Sequence, residues 1–301
     1  MSGFKTVVLV LISFCAFSQK IYTPSFRFKS FDPVVDTVGS VSNEVLEIKR
    51  RLSEEKDPWK KRQLTIAANN YRWLDGLKKK HKIILVNIPA ATLQVFDHGK
   101  KQLSMKVVAG KKKTPTSTLL STLNQLTVNP FWYVTRNIAT QEMLPRIIKN
   151  AAYLKRNHIR VLDSTHKVVD PAAVNWSGLS RKNFPFTLRQ NSGNVNSLGS
   201  LKFQFNNPYF LYLHDTDSKH LFAKEKRFFS HGCVRVEKPL ELASLVLNIK
   251  QDAIKADIQK KRTKILPIAS KDPYLIVIWY TIVDFDSMGN LKYFPDVYQR
   301  Y

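Results

Sequence analysis

The residues best suited to covalent chemistry lie in one short segment of the C-terminal third. Residues 230–235 read SHGCVR, and Cys233 is one of two cysteines in the chain, the other being Cys15. A thiol attacks as its thiolate, so it needs a cationic or donor-rich setting that lowers its pKa. His214 lies 19 residues before Cys233, within the YLHDT run of residues 212–216. These types and this order predict a Cys–His couple with Cys233 as the nucleophile.

The residues around the thiol fit the same chemistry. Gly232 lets the backbone come close to a substrate. Successive amides at His231, Gly232 and Cys233 can supply an oxyanion hole. Arg235 can recognise a substrate carboxylate and favour the thiolate. Ser230 opens the run and is grouped with these substrate-positioning residues.

Other functions use the same residues and stay open at this stage. A lone thiol is also a small buried hydrophobe with no chemical role. His214, His231 and Cys233 are the right types and number for a catalytic zinc site, although the spacing of His231 and Cys233 around a glycine is unusual for chelation. His98 and His220 stand in polar surroundings that predict exposed loops.

Composition limits the class of protein and of partner. The chain has 301 residues, 44% of them apolar, which excludes wholesale disorder and a disulfide-stapled miniprotein. The formal net charge of +25 indicates a polyanionic neighbour. Nucleic acid, an anionic membrane face and an acidic polymer such as peptidoglycan all satisfy the charge. A nucleic-acid-binding module explains the charge but neither the N-terminus nor the thiol segment.

The first 18 residues have the layout of a secretory signal peptide. Lys5 precedes an uncharged, mostly apolar run over residues 6–17, and Ala16 and Ser18 are small residues suited to cleavage before Gln19. The apolar run is too short for a membrane span. We therefore expect export, to the periplasm or cell wall of a bacterium.

Export changes the meaning of the cysteine count. Cys15 leaves with the signal peptide, so the mature chain carries Cys233 alone into a compartment that favours disulfides. No later segment is apolar enough to span a bilayer, so no membrane span is expected after cleavage. The mature protein is expected to be a monomer.

The spacing of apolar residues predicts the helices and strands that must position Cys233 and His214. Two helical stripes are predicted between Glu44 and Leu77, with a break at Asp57–Pro58. Alternating apolar residues then predict strands, and the whole pattern predicts a mainly β fold with peripheral helices. The predicted strands and helices are strands at 83–88, 93–96, 103–107, 201–205 and 209–213, a helix at 137–157, a helix from Pro239 to about Ile249, and a final hairpin of 274–283 with 291–294.

The two catalytic segments resemble the signature of L,D-transpeptidase (YkuD) catalytic domains, and most closely the large periplasmic subgroup typified by the Gram-negative enzyme known as YcbB. The resemblance covers roughly residues 83–249. It rests on YLHDT and FSHGCVRVE and on further short matches at residues 86–89, 129–130, 169–171, 188–190, 196–199, 202–203 and 207–209.

The resemblance implies a β-sandwich-like fold and a set of roles. Cys233 would be the nucleophile and His214 its acid/base partner, with His231 and Gly232 shaping the oxyanion hole and Arg235 ordering the site. The thiolate would attack the third-residue carbonyl of a peptidoglycan tetrapeptide stem and release D-alanine. An amine of a second stem would then accept the acyl group, giving a 3→3 crosslink. No cofactor or metal is implied.

Alternatives within the family share this acyl-enzyme. They are L,D-carboxypeptidase activity and the anchoring of a wall protein. The expected division of the chain is a signal peptide (1–18), a polar leader and helical scaffold (19–80), a catalytic domain (81–265) with a helical lid inserted at about 137–157, and a C-terminal hairpin packed on that domain (266–301).

Overall fold

The computed structural model describes residues 41–301, so the predicted signal peptide and most of the polar leader lie outside the described residues. Two helices open the described part, α1 (Asn43–Glu54) and α2 (Pro58–Lys80). Ser42 caps α1 by accepting the Val45 N–H at 3.3 Å. Asp57 caps α2 in the same way at 2.9 Å, and Pro58 follows as its first residue. The predicted break at Asp57–Pro58 is confirmed.

Sixteen strands and five further α-helices follow in the described residues, besides one π-helical turn and three short 3-10 helices. The strands are β1 (Lys82–Asn87), β2 (Thr92–Asp97), β3 (Lys100–Gly110), β4 (Leu119–Val128), β5 (Trp132–Tyr133), β6 (Ile159–Leu162), β7 (Val168–Val169), β8 (Thr187–Gln190), β9 (Leu201–Phe205), β10 (Tyr212–His214), β11 (Phe228–Ser230), β12 (Val234–Val236), β13 (Lys264–Pro267), β14 (Tyr274–Trp279), β15 (Val283–Phe285) and β16 (Leu291–Tyr293). The helices are α3 (Arg136–Ile138), α4 (Leu144–Lys149), α5 (Ala152–Arg156), α6 (Pro239–Leu247) and α7 (Gln251–Gln259).

The main sheet is a β-sandwich whose two layers share their longest strands. Its order is β11-β3-β12-β10-β9-β4-β14-β1-β2, with β13 added to β4, and β3 also pairs with β2. The first half of β3 pairs with β2 and its last residues pair with β11 and β12. The first half of β4 pairs with β14 and its second half with β9. The predicted mainly β, sandwich-like fold is confirmed.

The apolar core lies between the two layers and extends onto the N-terminal helices. Fully buried residues of the sheet, such as Leu213 and Val234, belong to one cluster with Ile48 and Leu64 from α1 and α2. The helical segment is thus part of the same hydrophobic core as the sheet. None of the helices among residues 41–301 is long and apolar enough to cross a membrane.

The segment between β4 and β9 forms a small domain of its own. Strands β5, β8, β6 and β7 make a separate sheet in that order, and a second core lies between it and the neighbouring helices. The predicted helix at 137–157 is broken into α3, a π-helical turn (Ala139–Met143), α4 and α5. Pro145 lies in the first turn of α4 and has no N–H to donate, which explains a break in the α-helical ladder at this place.

The C-terminal segment differs from the predicted hairpin. Strand β14 lies between β1 and β4 in the main sheet and runs parallel to β1, with Lys82 opposite Tyr274. Only β15 and β16 form the hairpin. The turn at residues 286–290 was predicted correctly, because its sequence pattern is local. The parallel partner of β14 is almost 200 residues away, so no local sequence pattern predicts this pairing.

Candidate active site

The register of three neighbouring strands brings the predicted couple onto one face of the sandwich. In the parallel pair β10–β12, Leu213 lies opposite Val234 and His214 opposite Arg235. Tyr212 precedes Leu213 by one residue and Cys233 precedes Val234 by one residue, so Tyr212 and Cys233 are also neighbours. Leu213 and Val234 are fully buried in the core. Because side chains alternate along a strand, the residues on either side of them face the other way.

The antiparallel strand β9 adds a third column to this face. It places Lys202 opposite His214 and Gln204 opposite Tyr212. The face therefore carries two rows of three side chains. The first row is Lys202, His214 and Arg235, and the second is Gln204, Tyr212 and Cys233.

His214 is held as a neutral base. The ring is buried, and its Nδ1 contacts the backbone carbonyl of Asp215. A carbonyl oxygen only accepts, so Nδ1 carries the proton and Nε2 keeps a free lone pair. Burial lowers the pKa of His214 to about 3, and the charge of Arg235 and the weaker charges of Lys202 and Lys219 act in the same direction.

Cys233 is a half-buried free thiol. Its Sγ lies 3.9 Å from the Phe210 carbonyl, which can accept the S–H. Burial raises the pKa of the thiol, and this outweighs hydrogen bonds from Tyr212 and the charges of Lys202 and Arg235. The sequence predicted a lowered thiol pKa. In the structure desolvation prevails and the thiol pKa is raised, which favours a neutral thiol beside a neutral imidazole at rest.

A constrained loop positions the Phe210 carbonyl. Phe210 has φ +53°, an unfavourable value for a residue with a bulky side chain, and the side chain is 87% exposed. Asn207 pins the loop, because its side chain accepts the N–H groups of Tyr209 and Leu211 and donates to the carbonyls of Phe205 and Leu211. Strain held in place beside the predicted nucleophile is typical of a functional site.

A tight turn sets the backbone in front of the thiol. Gly232 has φ +119°, which strongly favours glycine. The Ser230 hydroxyl donates to the Cys233 carbonyl at 2.5 Å and accepts the Gly232 N–H at 3.2 Å. The buried Thr116 hydroxyl donates to the Gly232 carbonyl at 2.7 Å and accepts the Gly110 N–H at 2.9 Å. Ser230 therefore shapes the turn from within.

A comparison with models of protein families identifies the family of this chain. The model of the YkuD L,D-transpeptidase catalytic domain matches residues 81–266, which is more than half of the chain. The chain belongs to the YkuD L,D-transpeptidase family. The matched range contains the two rows of the site and the Gly232 turn.

A curated relative agrees with this assignment. A Haemophilus influenzae protein assigned to the L,D-transpeptidases is 33% identical over 237 residues, which is 77% of this chain and 47% of the relative. The chain thus spans about half the length of that curated relative. Among solved structures, the acylated catalytic domain of the Enterococcus faecium L,D-transpeptidase matches 66% of this chain and 98% of its own, at 10% identity and a TM-score of 0.31. L,D-transpeptidase 3 of Mycobacterium tuberculosis matches 66% of this chain and 60% of its own, at 10% identity and a TM-score of 0.31.

His231 contacts the inserted domain through its side chain. Its Nε2 lies 2.6 Å from Oε1 of Glu142, in the π-helical turn. Lys111 Nζ lies 3.7 Å from the same oxygen and 3.3 Å from His231 Nε2. Burial alone would raise the pKa of Glu142, but the hydrogen bond and charge of His231, with the charges of Lys111 and Arg146, hold it below its ordinary value. We call Glu142, His231 and Lys111 the clasp.

The structure also gives positions for the remaining predicted histidines and for the residues of the zinc hypothesis. His98 and His220 are exposed, as predicted. Within residues 41–301, no three or more His, Cys, Asp or Glu side chains gather closely enough to hold a metal ion. The zinc hypothesis therefore has no ligand set in this part of the chain.

Four residues of the site were missed by sequence reasoning, namely Thr116, Glu142, Lys202 and Tyr212. Tyr212 was within reach, because it lies two residues before His214 on a strand and so shares its face. Lys202 required the register of β9 against β10. Glu142 and Thr116 required the tertiary fold, since they approach residues 231 and 232 from other segments.

Proposed function

We propose that this protein is a cysteine L,D-transpeptidase that acts on peptidoglycan stem peptides. The observation that carries the proposal is the register of β10 against β12, which presents the imidazole of His214, with its proton on Nδ1, and the thiol of Cys233 on one face of the sheet. They are diagonal neighbours across adjacent parallel strands, because His214 lies opposite Arg235 and Cys233 is two residues before Arg235. Family membership and a net charge of +25, suited to an anionic wall polymer, support the same function.

Acylation begins with the couple in its neutral form. As Sγ of Cys233 bonds to the third-residue carbonyl carbon of a tetrapeptide stem, its proton moves to Nε2 of His214. The backbone amides of the Gly232 turn stabilise the oxyanion. The intermediate then collapses, the amide C–N bond breaks, and His214 returns the proton to the leaving amine. D-alanine departs and a thioester remains on Cys233.

Deacylation reverses these proton movements. A side-chain amine of a second stem attacks the thioester carbonyl and gives a proton to His214. The C–S bond breaks, the sulfur takes the proton back, and a 3→3 crosslink is released. Attack by water or by the amine of a wall protein would use the same thioester, so the acceptor alone separates transpeptidation from trimming or anchoring.

The setting of the enzyme is part of the proposal. Residues 1–18 have the features of a signal peptide, which is consistent with an enzyme exported to the periplasm or cell wall. The likeness to the YcbB-like subgroup supports a lid role for the inserted domain, which the clasp joins to the turn before Cys233.

The products of a single reaction test the function. Purified protein is incubated with a disaccharide–tetrapeptide muropeptide, and the products are weighed by mass spectrometry. We expect a 3→3-linked dimer and free D-alanine from the wild type and neither from Cys233→Ala. Tripeptide without dimer would assign the enzyme as a carboxypeptidase, and an unchanged substrate would refute acyl transfer on stem peptides.

A further inference from the structure

Two cationic side chains flank His214 in the same row of the sheet. Lys202 lies opposite His214 on β9, and Arg235 lies opposite it on β12. Neighbouring strands are about 4.8 Å apart, so each cation is one strand away from the base, on opposite sides. The residues that alternate with them, Phe203 and Val234, are fully buried in the core. The row therefore projects onto the same face as the thiol.

Neither cation is neutralised within the described part of the chain. The Lys202 ammonium lies 4.3 Å from the centre of the Tyr212 ring, and among residues 41–301 no carboxylate is in ion-pair contact with it. Arg235 has a buried Nε that finds no hydrogen-bond partner among these residues. The nearby Asp215 is engaged by Lys219 and by the Ser200 N–H.

Partial burial of these two charges is energetically unfavourable in the protein without a ligand. Burial lowers the pKa of Lys202 and of Arg235, because each charge is partly removed from water. Asp217 offers Arg235 some attraction, but it lies in an exposed position. Partly buried cations are normally paired, so two of them beside a nucleophile indicate that a ligand supplies the anion.

The chemistry of the leaving group identifies which anion fits. His214 must protonate the leaving nitrogen, so that nitrogen comes within hydrogen-bond distance of Nε2. In a C-terminal amino acid the carboxyl carbon is two bonds from this nitrogen, or roughly 2.5 Å from standard backbone dimensions. The carboxylate of the leaving residue therefore lies next to the imidazole, where Lys202 and Arg235 stand on either side.

We infer that Lys202 and Arg235 together bind the α-carboxylate of the residue that Cys233 displaces. This inference rests on the proposed function and deepens it. It makes Lys202 a substrate-binding residue, and it makes the enzyme specific for donors whose leaving residue is the C-terminal one. A stem in which that carboxylate is amidated or extended by another residue leaves both cations unpaired.

The first test compares matched donors. Acylation is measured for a tetrapeptide stem and for its C-terminal amide with the wild type, Lys202→Gln, Lys202→Arg and Lys101→Gln, an exposed lysine on β3 that controls for net charge. We expect the wild type to prefer the free acid about ten- to a hundredfold in kcat/KM, since a hydrogen bond to a charged group contributes about 1.5–3 kcal/mol.

The variants separate recognition from a structural role. Lys202→Gln should abolish the preference, chiefly by raising KM for the free acid. Lys202→Arg should restore most of the preference, and Lys101→Gln should not alter it. Equal rates on both donors in the wild type would overturn the inference while leaving the proposed function intact.

A second readout does not depend on turnover. N-acetyl-D-alanine and N-acetyl-D-alaninamide differ only in the carboxylate, and each is tested for protection of Cys233 against iodoacetamide. We expect the acid to protect the wild type and Lys202→Arg, and to lose at least about tenfold in potency with Lys202→Gln. Equal protection by acid and amide, or protection that Lys202→Gln leaves unchanged, would refute carboxylate binding here whether or not stems are turned over.

Discussion

At the residue scale, the positions of two protons define the resting state of the proposed catalytic couple, Cys233 and His214. His214 keeps one on Nδ1, bonded to the Asp215 carbonyl, and Cys233 keeps the other on sulfur. The pKa of His214 is lowered to about 3 and that of the thiol is raised, so neither change favours an ion pair at rest. In the proposed mechanism, proton transfer therefore accompanies the attack on the carbonyl and does not precede it.

The pH dependence of alkylation tests this neutral resting state. A raised thiol pKa leaves little thiolate at neutral pH, so the rate of Cys233 alkylation by iodoacetamide should climb as pH passes above the ordinary value of about 8.5. An imidazolium–thiolate pair would instead give a plateau from about pH 5 to pH 8. Observation of that plateau would contradict the neutral couple.

The His214→Ala variant distinguishes two roles of His214, a general base in acylation and a positive charge beside the thiol. A neutral imidazole contributes no charge to the thiol, so the alkylation profile should keep its midpoint in this variant. Acylation by a tetrapeptide stem should fall by about 10²–10⁴-fold, because the general base is lost. A midpoint that rises strongly in His214→Ala would show that the ring is charged in the wild type.

Arg235 combines a charge with a planar set of donors. Arg235→Lys keeps the charge and removes the bidentate fork. We expect the alkylation profile of Cys233 to change little, since Arg235 acts on the thiol pKa through its charge, which lysine keeps. We expect kcat/KM for the stem peptide to fall about ten- to a thousandfold. Turnover close to wild type would leave Arg235 as a local charge or a structural tie.

At the element scale, strand pairing decides which predicted residues meet. Alternation and turn residues predicted β1, β2 and β3 and the helix that begins at Pro239, because these signals are local. The motif spacing also predicted that His214 and Cys233 share a site. The row Lys202–His214–Arg235 depends on the register of three strands, and no single stretch of sequence encodes that register.

The inserted domain was predicted less well from the sequence than the main sheet. Its stripe of apolar residues predicted a helix, but its separate sheet of two- to four-residue strands was missed. Strands this short carry too few alternations to register as a pattern. The partner of Glu142 is 89 residues away, so the clasp was also beyond sequence reasoning.

The clasp predicts a pH-dependent hold on the inserted domain. Because the pKa of Glu142 is held low, the clasp contributes stability above the ordinary carboxylate range and loses it as pH falls through the lowered value. Glu142→Gln should speed amide hydrogen exchange in residues 136–149 by up to about fivefold at pH 7, since exposed ion pairs contribute up to about 1 kcal/mol.

Two comparisons make this measurement specific. Glu54→Gln removes an exposed carboxylate on α1 and should leave exchange in residues 136–149 unchanged. Wild-type exchange there should approach that of Glu142→Gln only in acid. Identical exchange in the wild type and Glu142→Gln at pH 7 would mean that the clasp does not restrain the inserted domain.

At the scale of the whole molecule, the helices before the matched family domain and the sheet form one hydrophobic core. The family match begins at residue 81, yet Leu64 and Leu74 of α2 are completely buried in the cluster that contains the sheet. Tyr71 and Asn87 both bond the buried carboxylate of Asp284, which ties α2 and β1 to β15. The scaffold segment is therefore structural for the catalytic domain.

Truncating a buried side chain of this segment tests its integration. Leu64→Ala should lower the free energy of unfolding by about 2–5 kcal/mol, measured by urea denaturation, because it leaves a cavity in the shared core. Leu46→Ala, on α1, is the matched control, since Leu46 is 54% exposed and its loss should have little effect. If only α1 and α2 melt in Leu64→Ala while the sheet keeps its stability, the two parts do not share a core.

The most direct test of the account is the mass of the protein during a single turnover. Wild-type protein is mixed with a tetrapeptide stem, quenched in acid, and analysed intact and after digestion. The account predicts an adduct equal to the stem minus D-alanine, attached to the peptide that contains Cys233 and sensitive to hydroxylamine. It also predicts the same adduct in the presence of EDTA and none in Cys233→Ala. Release of D-alanine without any adduct on Cys233, or its loss on chelation, would contradict a cysteine acyl-enzyme.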